Sequence, residues 1–254
     1  MEKCEYRGNA IRYRKTGPDT GTALVLIHGA GGDSRLFNCQ LSGLGRDFRL
    51  IIPDLPGHGQ SPCDYLPTLS DYAGSIEEIC AREGVAQIIP VGLSMGGAVA
   101  LELFSRMRDI IRGFVFISTG PVLPVAPVVF ELIERDFDSF CDFLVKFTFS
   151  AETPEGVKRL SLKDLKATGR TILENDFRIC SLVDNTRLVS RVDVPALIIV
   201  NAGDRMIPPA VAEGLHAGIT ASKMLVYPGD GHVPQIDSAD RVNGDIREFV
   251  QGLP

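Results

Sequence analysis

The sequence predicts an α/β fold, with a mostly parallel central sheet, helices on both faces and a helical cap insertion. Three observations predict it. Short, nearly all-apolar runs recur along the chain, helix-compatible segments separate them, and one long stretch interrupts the alternation. Strands this apolar leave no face for solvent, so they belong inside a parallel sheet covered on both sides.

The elements follow in order. Residues around Cys4 to Tyr6 and Ala10 to Arg14 read as an extended pair, with Gly8-Asn9 as the turn between them. The apolar runs are Ala23 to Ile27, Leu50 to Ile52, Gln87 to Val91, Phe114 to Ile117 and Ala196 to Val200, with a less apolar one from Lys223 to Tyr227. Leu69 to Glu83 carries Leu69, Tyr72, Ala73, Ile76, Ile79 and Cys80 at helical spacing. Gly96 to Met107 continues as a helix from the third apolar run. Arg241 to Val250 closes the chain with Val242, Ile246, Phe249 and Val250 on one face.

The stretch from Pro121 to Arg191 has no strand-like run of this quality. It holds seven of the thirteen phenylalanines. Ile133, Phe137, Phe140, Leu144 and Phe147 step by four, three, four and three, which predicts one amphipathic helix. Residues 121–191 are therefore expected to form a helical cap on a core of residues 1–120 and 192–254. Pro121, Pro124 and Pro127 stiffen its entrance. Most of the Phe rings are expected to glue the cap to the core, and a few to roof a pocket.

Bulk properties exclude several function classes. A chain of 254 residues, 44% hydrophobic and 23% charged, can bury a large core without staples. The formal net charge is -6 and no run of Lys and Arg can track phosphates, so neither nucleic acid nor an anionic membrane is an expected partner. Six scattered cysteines contain no CxxC pair, which fits free thiols rather than a zinc site. The opening segment MEKCEYRGNA lacks the apolar stretch of a secretory signal, and no apolar run reaches the roughly 20 residues of a membrane helix. A cytoplasmic location is expected. No cofactor motif is present, and the chain could be a monomer or a homodimer.

The chemistry is carried by Gly92-Leu93-Ser94-Met95-Gly96. It follows an apolar strand and opens a helix, as the G-x-S-x-G nucleophile elbow does. A serine in so tight a turn stands clear of its neighbours, and bulky residues in place of Gly92 and Gly96 would collide. The helix beyond directs its positive end and free N–H groups at the serine.

Further motifs arrive in order. His28-Gly29-Ala30-Gly31-Gly32 ends the first apolar run, and Asp54-Leu55-Pro56-Gly57-His58-Gly59-Gln60-Ser61 follows the second. Gly203-Asp204-Arg205-Met206-Ile207-Pro208 and Gly229-Asp230-Gly231-His232-Val233-Pro234 follow the last two. Along nearly its whole length the sequence resembles the α/β-hydrolase superfamily. The resemblance implies the α/β-hydrolase fold, with the H-G-x segment as the oxyanion loop and the last two motifs as the acid turn and histidine loop. The order Ser, Asp, His is the one that fold uses.

The implied roles are those of acyl transfer. Ser94 attacks a carbonyl, His232 takes and returns the proton, and Asp204 orients the imidazole. The N–H groups of Ala30 and Met95 form the oxyanion hole. Asp230 competes for the acid role. An acid two residues from His232 reaches the far side of the ring less easily than one on a neighbouring loop, and this favours Asp204. Asp54 reads as a turn-stabilising carboxylate, His28 as a support of the oxyanion loop, His58 as a turn residue and His216 as a helix-surface residue. His28, Asp54 and His58 do not match a metal-site spacing.

The expected reaction is hydrolysis of a carboxylic ester, thioester or lactone of small to medium apolar substrates through an acyl-enzyme. A carbon–carbon bond hydrolase is an alternative, although those relatives place Trp after the catalytic His and this chain has Val233. A ligand-binding or signalling protein on the same fold, with slow turnover, is the alternative from another class.

Overall fold

The computed structural model describes residues 1–254. Its strands are β1 (Glu2–Tyr6), β2 (Asn9–Thr16), β3 (Ala23–Ile27), β4 (Arg49–Pro53), β5 (Ile88–Leu93), β6 (Phe114–Ile117), β7 (Ala196–Asn201) and β8 (Ser222–Tyr227). They form one sheet in the order β1-β2-β4-β3-β5-β6-β7-β8. The β1–β2 and β2–β4 pairs are antiparallel and the remaining pairs are parallel.

Every strand expected from an apolar run is present. The first turn differs by one residue. Tyr6 pairs with Asn9, so the two-residue turn is Arg7-Gly8, at φ 50° and 79°. Two positive φ angles match the primed turn that suits strand twist. Arg7 is held there by its ion pair with Asp71 at 2.6 Å and by the Tyr65 ring beneath its guanidinium.

Alternation along the strands builds two cores. Ala23, Val25 and Ile27 join one apolar cluster, while Leu24 and Leu26 join the other. The first face is covered by α2 (Leu69–Arg82), α3 (Met95–Met107) and α9 (Pro209–Gly218), whose Tyr72, Val99 and Leu215 are fully buried. The second face is covered by α1 (Asn38–Leu44) and α11 (Ala239–Gln251), with Leu44, Val242 and Ile246 buried. A short helix, α10 (Pro234–Asp237), precedes α11. β8 is one of the two edge strands, and its mostly half-exposed residues account for its less apolar sequence.

Between β6 and β7 lie five helices: α4 (Val128–Arg135), α5 (Phe137–Thr148), α6 (Glu155–Thr168), α7 (Arg170–Leu182) and α8 (Thr186–Val189). The single amphipathic helix expected through Ile133 and Phe147 is two helices. Asp136 leaves helical geometry at φ -153°, ψ 86°, and its carboxylate caps α5 by accepting from the Ser139 N–H at 3.1 Å. The apolar spacing survives because both helices face the same core; Ile133, Phe140 and Leu144 are buried together. The segment's entrance and exit pair with each other through Val122 and Asp184, and Asn185 N–H donates to the Pro121 carbonyl at 2.8 Å. No helix in the chain is long and apolar enough to cross a membrane.

The chain builds β4 on one side of β3 and β5 on the other. Open α/β sheets form a crevice at the carboxyl ends of strands at such a reversal. The loops after β3, β5, β7 and β8 all emerge at that edge.

Candidate active site

Ser94 sits between β5 and α3 with φ 53° and ψ -119°, a backbone conformation that L-residues rarely adopt. The strain is held by bonds on each side. Ser94 N–H donates to the Ile117 carbonyl at 2.9 Å, and the Ser94 carbonyl accepts from Gly97 N–H and Thr119 Oγ1, each at 2.8 Å. A Cβ on Gly96 would overlap the Ile27 carbonyl oxygen, and one on Gly92 would overlap the main chain of Gly96. Both glycines are thus required by backbone crowding, in agreement with the pentapeptide's spacing.

Asp204 and His232 meet across adjacent loops. His232 Nδ1 lies 2.8 Å from Asp204 Oδ2, and the two side chains are 5% and 0% exposed. The second carboxylate oxygen accepts from the N–H groups of Met206 at 2.9 Å and Ile207 at 3.0 Å. Asp204 is therefore an anchored acceptor, and it makes His232 Nδ1 the protonated nitrogen. His232 Nε2 is buried and has no protein partner. Asp230, the rival acid, is exposed and makes no bond to His232.

Ser94 and His232 line one cavity of about 240 Å³, together with Gly29 and Ala30. Its far wall comes from the helices between β6 and β7, with Val129, Phe140, Phe143, Phe147 and Phe177 facing inward. Of the seven phenylalanines noted in the sequence, these four line the cavity. The wall is predominantly apolar, and Arg205 is the one guanidinium on it, lying over the Phe147 ring.

Met95 follows Ser94 directly, and Ala30 follows Gly29, on which an added Cβ would lie 3.1 Å from Ser94 Cβ. Ala30 lines the cavity, whereas the Met95 side chain is fully buried behind it as the first residue of α3. Neither N–H donates to another protein group. His28 stands at the base of the loop, where its Nε2 accepts from Leu55 N–H at 3.0 Å and its Nδ1 faces the Gly29 carbonyl at 2.9 Å. Asp54 braces the neighbouring loop by accepting from Ser34 and Gln60 N–H groups at 2.8 and 2.9 Å.

Several groups around the site were not singled out in the sequence. The His232 N–H donates to the Thr148 carbonyl at the end of α5, at 2.8 Å. Asn201 Nδ2 holds the Gly231 carbonyl at 2.7 Å. His58, read as a turn residue, is buried and pairs with Asp176 of α7 at 2.8 Å. A signal for Asp176 was present. It shares a helix face with Leu173, Phe177 and Cys180, and a carboxylate on an apolar face needs a partner.

A profile of the alpha/beta hydrolase family matches residues 24–245. The chain belongs to that family. Solved structures share the hydrolase's fold. An esterase from Exiguobacterium antarcticum superposes with a TM-score of 0.90 at 20% identity, over 96% of this chain and 97% of its own. The enol-lactonase of Burkholderia xenovorans superposes with a TM-score of 0.91 at 21% identity, over 98% of this chain and all of its own (100%). In sequence, the hydrolase is 26% identical to the pimeloyl-[acyl-carrier protein] methyl ester esterase of Neisseria meningitidis, over 95% of this chain and 98% of that one.

Proposed function

We propose that this hydrolase cleaves carboxylic esters of small to medium apolar substrates through an acyl-enzyme on Ser94. The observation that carries the reading is that a strained Ser94 and a carboxylate-anchored His232 line the same apolar cavity. The relative named as a methyl ester esterase, similar over nearly the whole chain, supports the ester class.

Ser94 Oγ attacks the ester carbonyl and its proton passes to His232 Nε2, the nitrogen left free by the Asp204 bond. Asp204 stabilises the imidazolium that forms. The Ala30 and Met95 N–H groups receive the oxyanion, being unspent on other acceptors. The tetrahedral intermediate collapses, and the leaving alcohol takes the proton from His232. Water then repeats the sequence on the acyl-enzyme and frees the acid. The helices between β6 and β7 act as a cap whose Phe side chains sort substrates by size. A cavity of about 240 Å³ lies below the roughly 300–1,000 Å³ of pockets for drug-sized ligands, which favours short acyl chains.

A panel of p-nitrophenyl esters tests this. Short and medium esters are expected to be hydrolysed, and Ser94→Ala to abolish turnover. A fluorophosphonate probe that leaves Ser94 unlabelled, or tight ligand binding with negligible turnover, would overturn it.

A further inference from the structure

The loop after β3 is closed by Gly32 N–H donating to the Gly29 carbonyl at 3.1 Å, with Gly31 at φ +66°. The Ala30–Gly31 peptide is the central one of this turn. Its orientation separates the two commonest turn types, and a bond to it anchors the corner of the turn on which Ala30 sits. The N–H of this peptide, on Gly31, donates to Asp176 Oδ2 at 2.8 Å, across 145 residues of sequence. The same oxygen meets His58 Nε2 at 2.8 Å, and the other accepts from the Tyr72 hydroxyl at 2.6 Å. The side chains of Asp176 and His58 are both 0% exposed.

The surroundings define the protonation of His58. Its Nδ1 faces the Pro56 carbonyl at 3.1 Å and its Nε2 faces the Asp176 carboxylate. Neither acceptor can donate, so both ring nitrogens carry protons. Burial opposes that charge, yet Asp176 and the Pro56 carbonyl hold the His58 pKa above the ordinary histidine value. The neighbouring His28 ring, 4.9 Å away, moves the other way. Burial first, and then the His58 charge, push it down to about 4. Asp54 also favours the His58 charge, while burial keeps the Tyr72 hydroxyl and Cys180 thiol beside Asp176 protonated.

We propose that Asp176, paired with a His58 imidazolium, is the positioning residue of the oxyanion loop. It anchors the turn at the peptide that follows Ala30, so that the Ala30 N–H, on the peptide before it, stays facing the reacting carbonyl. This rests on the oxyanion role given to Ala30 above. One carboxylate on the cap thereby joins three pieces of the core: the loop after β3, the loop after β4, and α2. Nothing on the core side replaces it, because Gly31 N–H has no other acceptor.

The test compares Asp176→Ala and Asp176→Asn with the wild type, counting competent sites by fluorophosphonate titration. Per titrated site, Asp176→Ala is expected to lose about 10- to 100-fold in kcat, less than the roughly 10²–10³-fold of losing a donor outright. KM should stay within about threefold, since the interaction acts in the transition state. Affinity for a boronic acid that mimics the tetrahedral state should fall by the same factor as kcat. Asp176→Asn, which keeps an acceptor and loses the charge, should fall between. Wild-type turnover per titrated site, or an unchanged boronate affinity, would overturn the proposal even if the melting temperature drops. If Asp176→Ala does not fold, Asp176→Asn and one measurement on the wild type still decide. Nitrogen-15 NMR of labelled histidines should show both His58 nitrogens protonated at neutral pH, and a neutral His58 would overturn the pairing. Failure of the esterase reading is seen separately, as a wild type that the probe does not label.

Discussion

Ser94 keeps a disfavoured backbone because its N–H and carbonyl are both bonded and because Gly92 and Gly96 let the main chain around the turn pack closely. Asp204 answers a different need at the same scale. It accepts from two main-chain N–H groups while facing His232, so its carboxylate cannot rotate away. Asp204→Asn should fold normally and lose about 10³–10⁴-fold in kcat, because the amide favours the wrong imidazole tautomer. Steady-state kinetics on a p-nitrophenyl ester, with folding checked by circular dichroism, measures it. At this scale the sequence was legible where chemistry demands a fixed spacing, as in Gly92-Leu93-Ser94-Met95-Gly96. It was less so for His58, whose partner Asp176 lies 118 residues away. No local pattern encodes such a distance.

Among the elements, strands were read almost to the residue because burial on both faces leaves continuous apolar runs. Helix boundaries were less legible. The break at Asp136 falls inside an unbroken 3-4 spacing, and only the capping geometry reveals it. The result is a pair of short helices, α4 and α5, with Phe140 of α5 nearly fully buried against the cavity. Phe140→Ala should cost about 3–5 kcal/mol of stability in urea denaturation. The surviving enzyme should prefer a longer acyl chain than the wild type in the p-nitrophenyl ester series. An unchanged chain-length optimum would remove Phe140 from the substrate-facing wall.

The whole molecule couples its sheet to its loops through buried histidines of opposite character. His28 is neutral and its folded pKa is pushed down to about 4, so the unfolded chain binds the extra proton as pH falls. Its contribution is complete above about pH 6.5 and is lost between there and about pH 4. His58 is raised, so its contribution is complete below the unfolded value and is lost as pH rises through the folded one. These two contributions should therefore make the melting temperature fall on both sides of a maximum near pH 6.5. His28→Gln, which keeps an acceptor for Leu55 N–H, should flatten the acid limb and leave the alkaline one. An acid limb of the same steepness in that variant would assign the loss to other groups.

The bond from His232 N–H to the Thr148 carbonyl runs from main chain to main chain. No side chain takes part in it, so substitution at Thr148, or of His232 by anything but proline, leaves both of its partners in place. The height of the His232 loop above the sheet is thus insulated from drift in the residues that shape the cavity. Selection can rewrite Phe143 or Phe147 on the cavity wall without removing this bond to His232. A foreign insertion would have to supply a helix-end carbonyl at that spot as well as a carboxylate for the Gly31 N–H.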